Sequence, residues 1–153
     1  MTVDGSSGIT RGTETVTLAS IVEREAVIRS EQPVIASVFL NRLKAGLPLQ
    51  ADPTVGYALG RGPRSRLTFR DLRVESPYNT YRHVGLPPGP ICNPGKDSIA
   101  AVLDPQVSDD LFFVATGRGG HVFAATISQQ ACNVAAYRAF ERQKQDPGAT
   151  PHR

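Results

Sequence analysis

The sequence predicts an α+β domain: N-terminal helices, a long Pro/Gly-rich ordered loop, a β-hairpin and a C-terminal helix grouped around a cleft. Three observations carry this. Apolar residues recur at helical spacing near both ends of the chain. Two short runs of β-formers flank the turn GRGG. Between the helices and those runs, residues 76–95 (SPYNTYRHVGLPPGPICNPG) hold five of the twelve prolines, a density that no helix or central strand survives.

Taken in order, residues 1–14 are rich in Gly, Ser and Thr and read as a flexible N-terminal segment. A helix is expected from Val16, with Leu18, Ile21, Val22, Glu25 and Ala26 on one face and Thr15 or Thr17 as its cap. Ser30 and Pro33 introduce a second helix, VIASVFLNRLK, stopped by Gly46. A short helix is expected over residues 54–59. In LTFRDL, Thr68 and Asp71 stand at the spacing of a weak capping box.

The proline-rich segment reads as a long ordered loop, and such loops in compact domains tend to be functional. KDSIAAVL (96–103) is a short helix ended by Asp104-Pro105. Residues 111–116 and 121–126 form the hairpin. ISQQACNVAAYRAFERQKQ is the last helix, with Ser128 as a cap and Ile127, Val134, Tyr137 and Phe140 as apolar positions. The domain is expected over residues 15–145 and a loose tail over 146–153.

Composition narrows the function classes. The net charge is +3 and the basic residues are scattered, which does not argue for nucleic acid. Cys92 and Cys132 belong to no CxxC or Cys/His cluster, so neither metal nor cofactor is expected; they read as two free, half-buried thiols, with a disulfide as the alternative in an oxidising compartment. No apolar run approaches the ~20 residues of a membrane span, and the first residues lack the apolar core of a signal peptide.

Chemistry enters with Glu23 and Glu25, in the apolar run LASIVEREA. Two positions apart on a helix is ~200° of rotation, so the two carboxylates cannot share one cleft. Glu25 falls on the apolar face. A carboxyl group there has a raised pKa, stays protonated near neutrality and can donate to a leaving oxygen. The competing role is a structural ion pair with an arginine.

ASIVEREA, NRL, LQADPTV, SPYNTY, GLPPGPICNPG and FFVATGRGGHVF, in that order, resemble the catalytic domain of the YceG-like endolytic murein transglycosylases, across residues 18–140. The resemblance implies cleavage of the MurNAc–GlcNAc β-1,4 bond without water, leaving 1,6-anhydroMurNAc ends. Ordinary glycosidases need two carboxylates. Intramolecular attack by the C6 hydroxyl supplies its own nucleophile at high effective concentration, so one glutamate suffices as acid and then base. The resemblance points to Glu25 for that role, with Glu23 as the alternative.

The same resemblance implies a glycan-binding cleft lined by Gln50, Asp52, Thr54, Tyr78, Asn79, Tyr81, Pro88, His121 and Phe123, with the GLPPGPI loop as a rigid wall. It implies peptidoglycan strands and cell-wall synthases as partners. It also implies an extracytoplasmic site, at the periplasmic face of the inner membrane in full-length relatives. A membrane helix and a LysM-like region precede the domain in such relatives, so this stretch reads as an excised domain or a shortened relative. The alternative function is a non-catalytic glycan-binding or scaffold module of cell-wall synthesis.

Overall fold

The computed structural model describes residues 12–146. Its order is α1 (Gly12–Glu25), α2 (Gln32–Lys44), α3 (Asp52–Ala58), α4 (Lys96–Leu103), β1 (Phe112–Ala115), β2 (His121–Ala124) and α5 (Ile127–Gln145), with 3₁₀ turns at Arg29–Glu31 and Asp71–Arg73. The α+β class and the order of elements are as expected.

Helix α1 is central rather than merely amphipathic. Leu18, Ala19, Ile21 and Val22 are inaccessible to solvent, and so is Ser20, because α2, α3, α4 and the proline-rich loop surround it. Phe39 and Ile35 of α2, Val102 of α4 and Leu49 complete the core. Each such side chain contributes about 1.5–3 kcal/mol through burial.

The boundaries follow local chemistry. α1 starts at Gly12, earlier than Val16, so residues 12–14 are its first turn and not part of a loose segment. Neither Thr15 nor Thr17 caps it; the Thr17 hydroxyl donates to the Thr13 carbonyl at 2.8 Å. α2 ends in a Schellman motif: Gly46 has φ +68°, its N–H reaches the Leu43 carbonyl, and the Leu47 N–H reaches that of Arg42. Thr68 and Asp71 make the reciprocal capping bonds expected of them, at 2.8 and 3.2 Å. The cap of α5 is Thr126, not Ser128: its hydroxyl accepts from the Gln129 N–H at 3.2 Å.

β1 and β2 pair antiparallel, with Phe113 opposite Phe123 and Ala115 opposite His121. Phe113 meets Phe39 edge-on at 5.8 Å and so ties the hairpin to α2. α5 packs on the two strands and carries no buried residue; Ile127 is largely exposed.

The proline-rich loop is pinned to α1 by polar groups. Ser20 Oγ accepts from the Ile91 N–H at 3.0 Å, and the Cys92 thiol donates to the Ser20 carbonyl. Cys92 and Cys132 are both free; Cys132 is exposed rather than half-buried. No described helix is long and apolar enough to cross a membrane.

Candidate active site

Glu25 is the last residue of α1. Its neighbours on that helix are core residues, so the burial of Leu18, Ile21 and Val22 carries it into the protein. It keeps partial exposure because it lies on the floor of a two-armed cleft. The first arm is a cavity of about 320 Å³ and the second one of about 460 Å³. Glu25, Asp52 and His121 line both, so the arms meet across these three side chains.

Desolvation pushes the Glu25 carboxyl up from 4.5 to about 8, and the negative charge of Asp52 adds to the effect. The C-terminal end of a helix, with its partial negative charge, disfavours a carboxylate in the same direction. A group in this state is a proton donor at neutral pH.

Asp52 opens α3, followed by Pro53 in the first turn. It accepts a hydrogen bond from the Tyr81 hydroxyl. Burial, then that bond, push the Tyr81 phenol well above its ordinary range, so Tyr81 is a fixed donor. Gln50 enters the second arm from a backbone with φ +50°. This is a costly conformation for a residue with a side chain. It is held there by its N–H on the Thr80 carbonyl, 3.2 Å, and by the Ala51 N–H on Thr80 Oγ1, 2.9 Å.

His121 is oriented by Glu31, which the sequence reading passed over. Glu31 Oε1 accepts from the His121 backbone N–H at 2.8 Å, and Oε2 lies 2.8 Å from Nδ1. Gly120 makes the approach possible: a Cβ there would sit 2.8 Å from Glu31 Oε1 and from Ile28 Cδ1. Arg42 was also missed. It is buried and donates from Nε to the Leu111 carbonyl (2.7 Å) and from Nη1 to that of Pro48 (2.8 Å). Burial lowers its pKa, and its guanidinium stacks 5.1 Å from the Phe112 ring centroid. An arginine in NRL gives no sequence signal that it will face a hairpin about 70 residues later.

The cleft therefore gathers Glu25, Gln50, Asp52, Tyr81 and His121. Other expected lining residues do something else. Glu23 points away from it and accepts from the Gly95 N–H at 3.1 Å, anchoring the end of the proline-rich loop. Asn79 is wholly buried: Nδ2 donates to the Leu72 and Val74 carbonyls and Oδ1 accepts from the Tyr81 N–H. With its amide spent on backbone, it holds Tyr81 and cannot reach a ligand. Thr54 is likewise buried, bonded to the Ala51 carbonyl and Thr80.

Tyr78 packs beneath Tyr57, ring centroids 4.8 Å apart, so the exposed ring in the first arm is Tyr57. Phe123 supports Phe113 and His121 from behind. Pro88 lies elsewhere, in a separate hollow with Thr13, Thr17 and Leu43. The GLPPGPI loop is thus no wall of this cleft, except that Ile91 lines the first arm. Among the described residues, no group of three or more His, Cys, Asp or Glu side chains could hold a metal ion.

Comparison with known proteins adds to this geometry. The model of the YceG-like family matches residues 4–136. The chain is 47% identical over 114 residues to an endolytic murein transglycosylase of Bacillus subtilis, covering 74% of this chain and 31% of that one. It is 38% identical over 116 residues to an endolytic murein transglycosylase of Streptococcus pneumoniae, covering 73% and 21%. It thus spans less than a third of the length of these curated relatives. A crystal structure of a YceG-like protein from Listeria monocytogenes superimposes with a TM-score of 0.73 at 46% identity, covering 78% of this chain and 38% of that one.

Proposed function

The chain belongs to the YceG-like family, and from that premise we propose that it is the catalytic portion of an endolytic peptidoglycan lytic transglycosylase with Glu25 as its general acid and base. The observation that carries the reading is a single carboxyl group raised to about 8 where two arms of a cleft meet.

A glycan strand crosses the floor with the scissile MurNAc–GlcNAc bond over Glu25. The protonated carboxyl gives its proton to the leaving glycosidic oxygen as the C1–O bond breaks. Positive charge develops on the sugar, and the adjacent Asp52 carboxylate favours it electrostatically. Asp52 is kept in place by the Tyr81 hydroxyl. The MurNAc C6 hydroxyl closes on C1, and its proton passes to the Glu25 carboxylate, which restores the starting acid. No water enters the bond-making step, and the product carries a 1,6-anhydro end. The setting is the extracytoplasmic cell wall, alongside cell-wall synthases.

Digestion of purified sacculi tests this. Anhydro-muropeptides should appear with the wild type and fall by roughly 10²- to 10⁴-fold with Glu25→Gln, while Glu23→Gln retains activity. Undiminished product from Glu25→Gln would remove Glu25 from the role. Strand binding without any cleavage by the wild type would favour a scaffold module.

A further inference from the structure

The two arms differ in charge. The first is lined by Arg24, Arg61 and Arg64, beside the exposed Tyr57; the carboxylates among its described lining residues are the floor pair Glu25 and Asp52. The second arm has Gln50, Tyr81, Gln130 and the tethered Arg42. A neutral sugar strand calls for amides, hydroxyls and rings, which the second arm offers. It does not call for three arginines on one wall.

Two of these arginines are held in place. Arg61 is clamped by both Asp71 oxygens, at 2.9 and 3.1 Å. The Thr68 backbone bond, then Arg61, pull the Asp71 carboxyl down to about 2, so the clamp is ionised at any working pH. Arg64 adopts φ +60° and donates from Nη2 to the Ala26 carbonyl, one residue beyond Glu25, at 3.3 Å. A guanidinium has five N–H donors. Arg61 spends two on Asp71 and Arg64 one on Ala26, which leaves donors for a ligand and reduces the entropy lost on binding.

Resting on the glycan-cleaving reading of the same cleft, we propose that the first arm binds the free carboxylates of a peptide stem carried by the muramyl residue, so that the protein selects peptide-bearing strands over bare glycan. The stem leaves the muramyl ring through its lactyl group. Extended chain advances about 3.5 Å per residue, so the carboxylate of a second, glutamyl residue lies roughly 7 Å beyond the lactyl group. Carboxylate and guanidinium match in a two-point geometry.

Binding is measured with Glu25→Gln protein, so the readout does not depend on turnover, by titration calorimetry against short soluble glycan strands. Three forms are compared: with intact stems, with the stem carboxylates amidated, and with the stems removed. Intact stems should bind about tenfold tighter than either other form, and the advantage should shrink as salt rises. It should fall toward one in Arg24→Gln/Arg64→Gln, survive in the exposed control Arg138→Gln, and be partly restored by Arg64→Lys. Thermal melts identify any variant that fails to fold, in which case the single substitutions carry the comparison. Equal affinity for the three forms, or an advantage unaffected by loss of the arginines, overturns the proposal. Release of anhydro ends from stem-bearing strands by the wild type tests the glycan-cleaving reading separately.

Discussion

Glu31 and His121, ninety residues apart, form a two-point contact in which one carboxylate takes both the backbone N–H and ring Nδ1 of the histidine. The histidine side chain is 8% exposed and that carboxylate 16%, so the pair is shielded and the ring cannot turn freely. With Nδ1 engaged, Nε2 is the nitrogen left for the cleft. Glu31→Gln should lower kcat roughly tenfold to a hundredfold with little change in KM. Nitrogen NMR should find Nδ1 protonated in the wild type and a mixed tautomer in the variant. An unchanged tautomer and unchanged kcat would reduce the contact to packing.

The same contact needs the glycine before it. Gly120 has φ +85° and a built Cβ would overlap Glu31 and Ile28, so Gly120→Ala combines strain with displacement. A loss of about 1–3 kcal/mol in urea unfolding is expected, together with the kinetic defect of Glu31→Gln. Gly119→Ala shares the positive φ but meets no atom within 4 Å, so it should show backbone strain without the kinetic defect.

The raised Glu25 carboxyl also has a consequence for stability. In the unfolded chain it ionises near 4.5, and in the folded protein near 8. Between these values the folded state holds the extra proton, so this group's contribution is full below pH 4.5 and is lost as pH rises through about 8. Glu25→Gln should therefore melt higher than the wild type at pH 9, with the gap closing at pH 5. The scale is about 3 °C for each kcal/mol. Wild-type activity should decline on the alkaline side through the same pKa. A melting difference independent of pH would contradict burial of an ionising carboxyl.

Asn79 separates scaffold from site. Its buried amide satisfies two carbonyls and one N–H, so Asn79→Ala should cost about 2–4 kcal/mol. Activity per folded molecule should fall less than in Tyr81→Phe, which keeps the fold but removes the donor to Asp52. Calorimetry paired with sacculus digestion separates the two outcomes.

Much of this was legible in local chemistry. Apolar spacing and terminators placed α2, α4 and α5 within a residue or two, since Gly46, Asp104-Pro105 and the start of ISQQ act on their own neighbours. The rotation per residue separated Glu23 from Glu25. Their surroundings then differed as that rotation required: loop anchor for one, cleft floor for the other. The six ordered motifs placed the family but not the job of each residue within them. SPYNTY supplied one cleft side chain, Tyr81, and two supports, Tyr78 and Asn79.

What the sequence by itself determined is the helix and hairpin order, the apolar stripe that draws Glu25 inward, and the glycine turn. These depend on backbone preference and on neighbours within a few residues. What only the tertiary structure decided is which polar groups face the cleft. Arg42 reaches across to the hairpin, Glu31 meets His121, and Asp52 meets Tyr81 across 29 residues. Such pairings arise because a buried polar group must find a partner wherever the fold brings one, and no periodicity in the chain encodes where that will be.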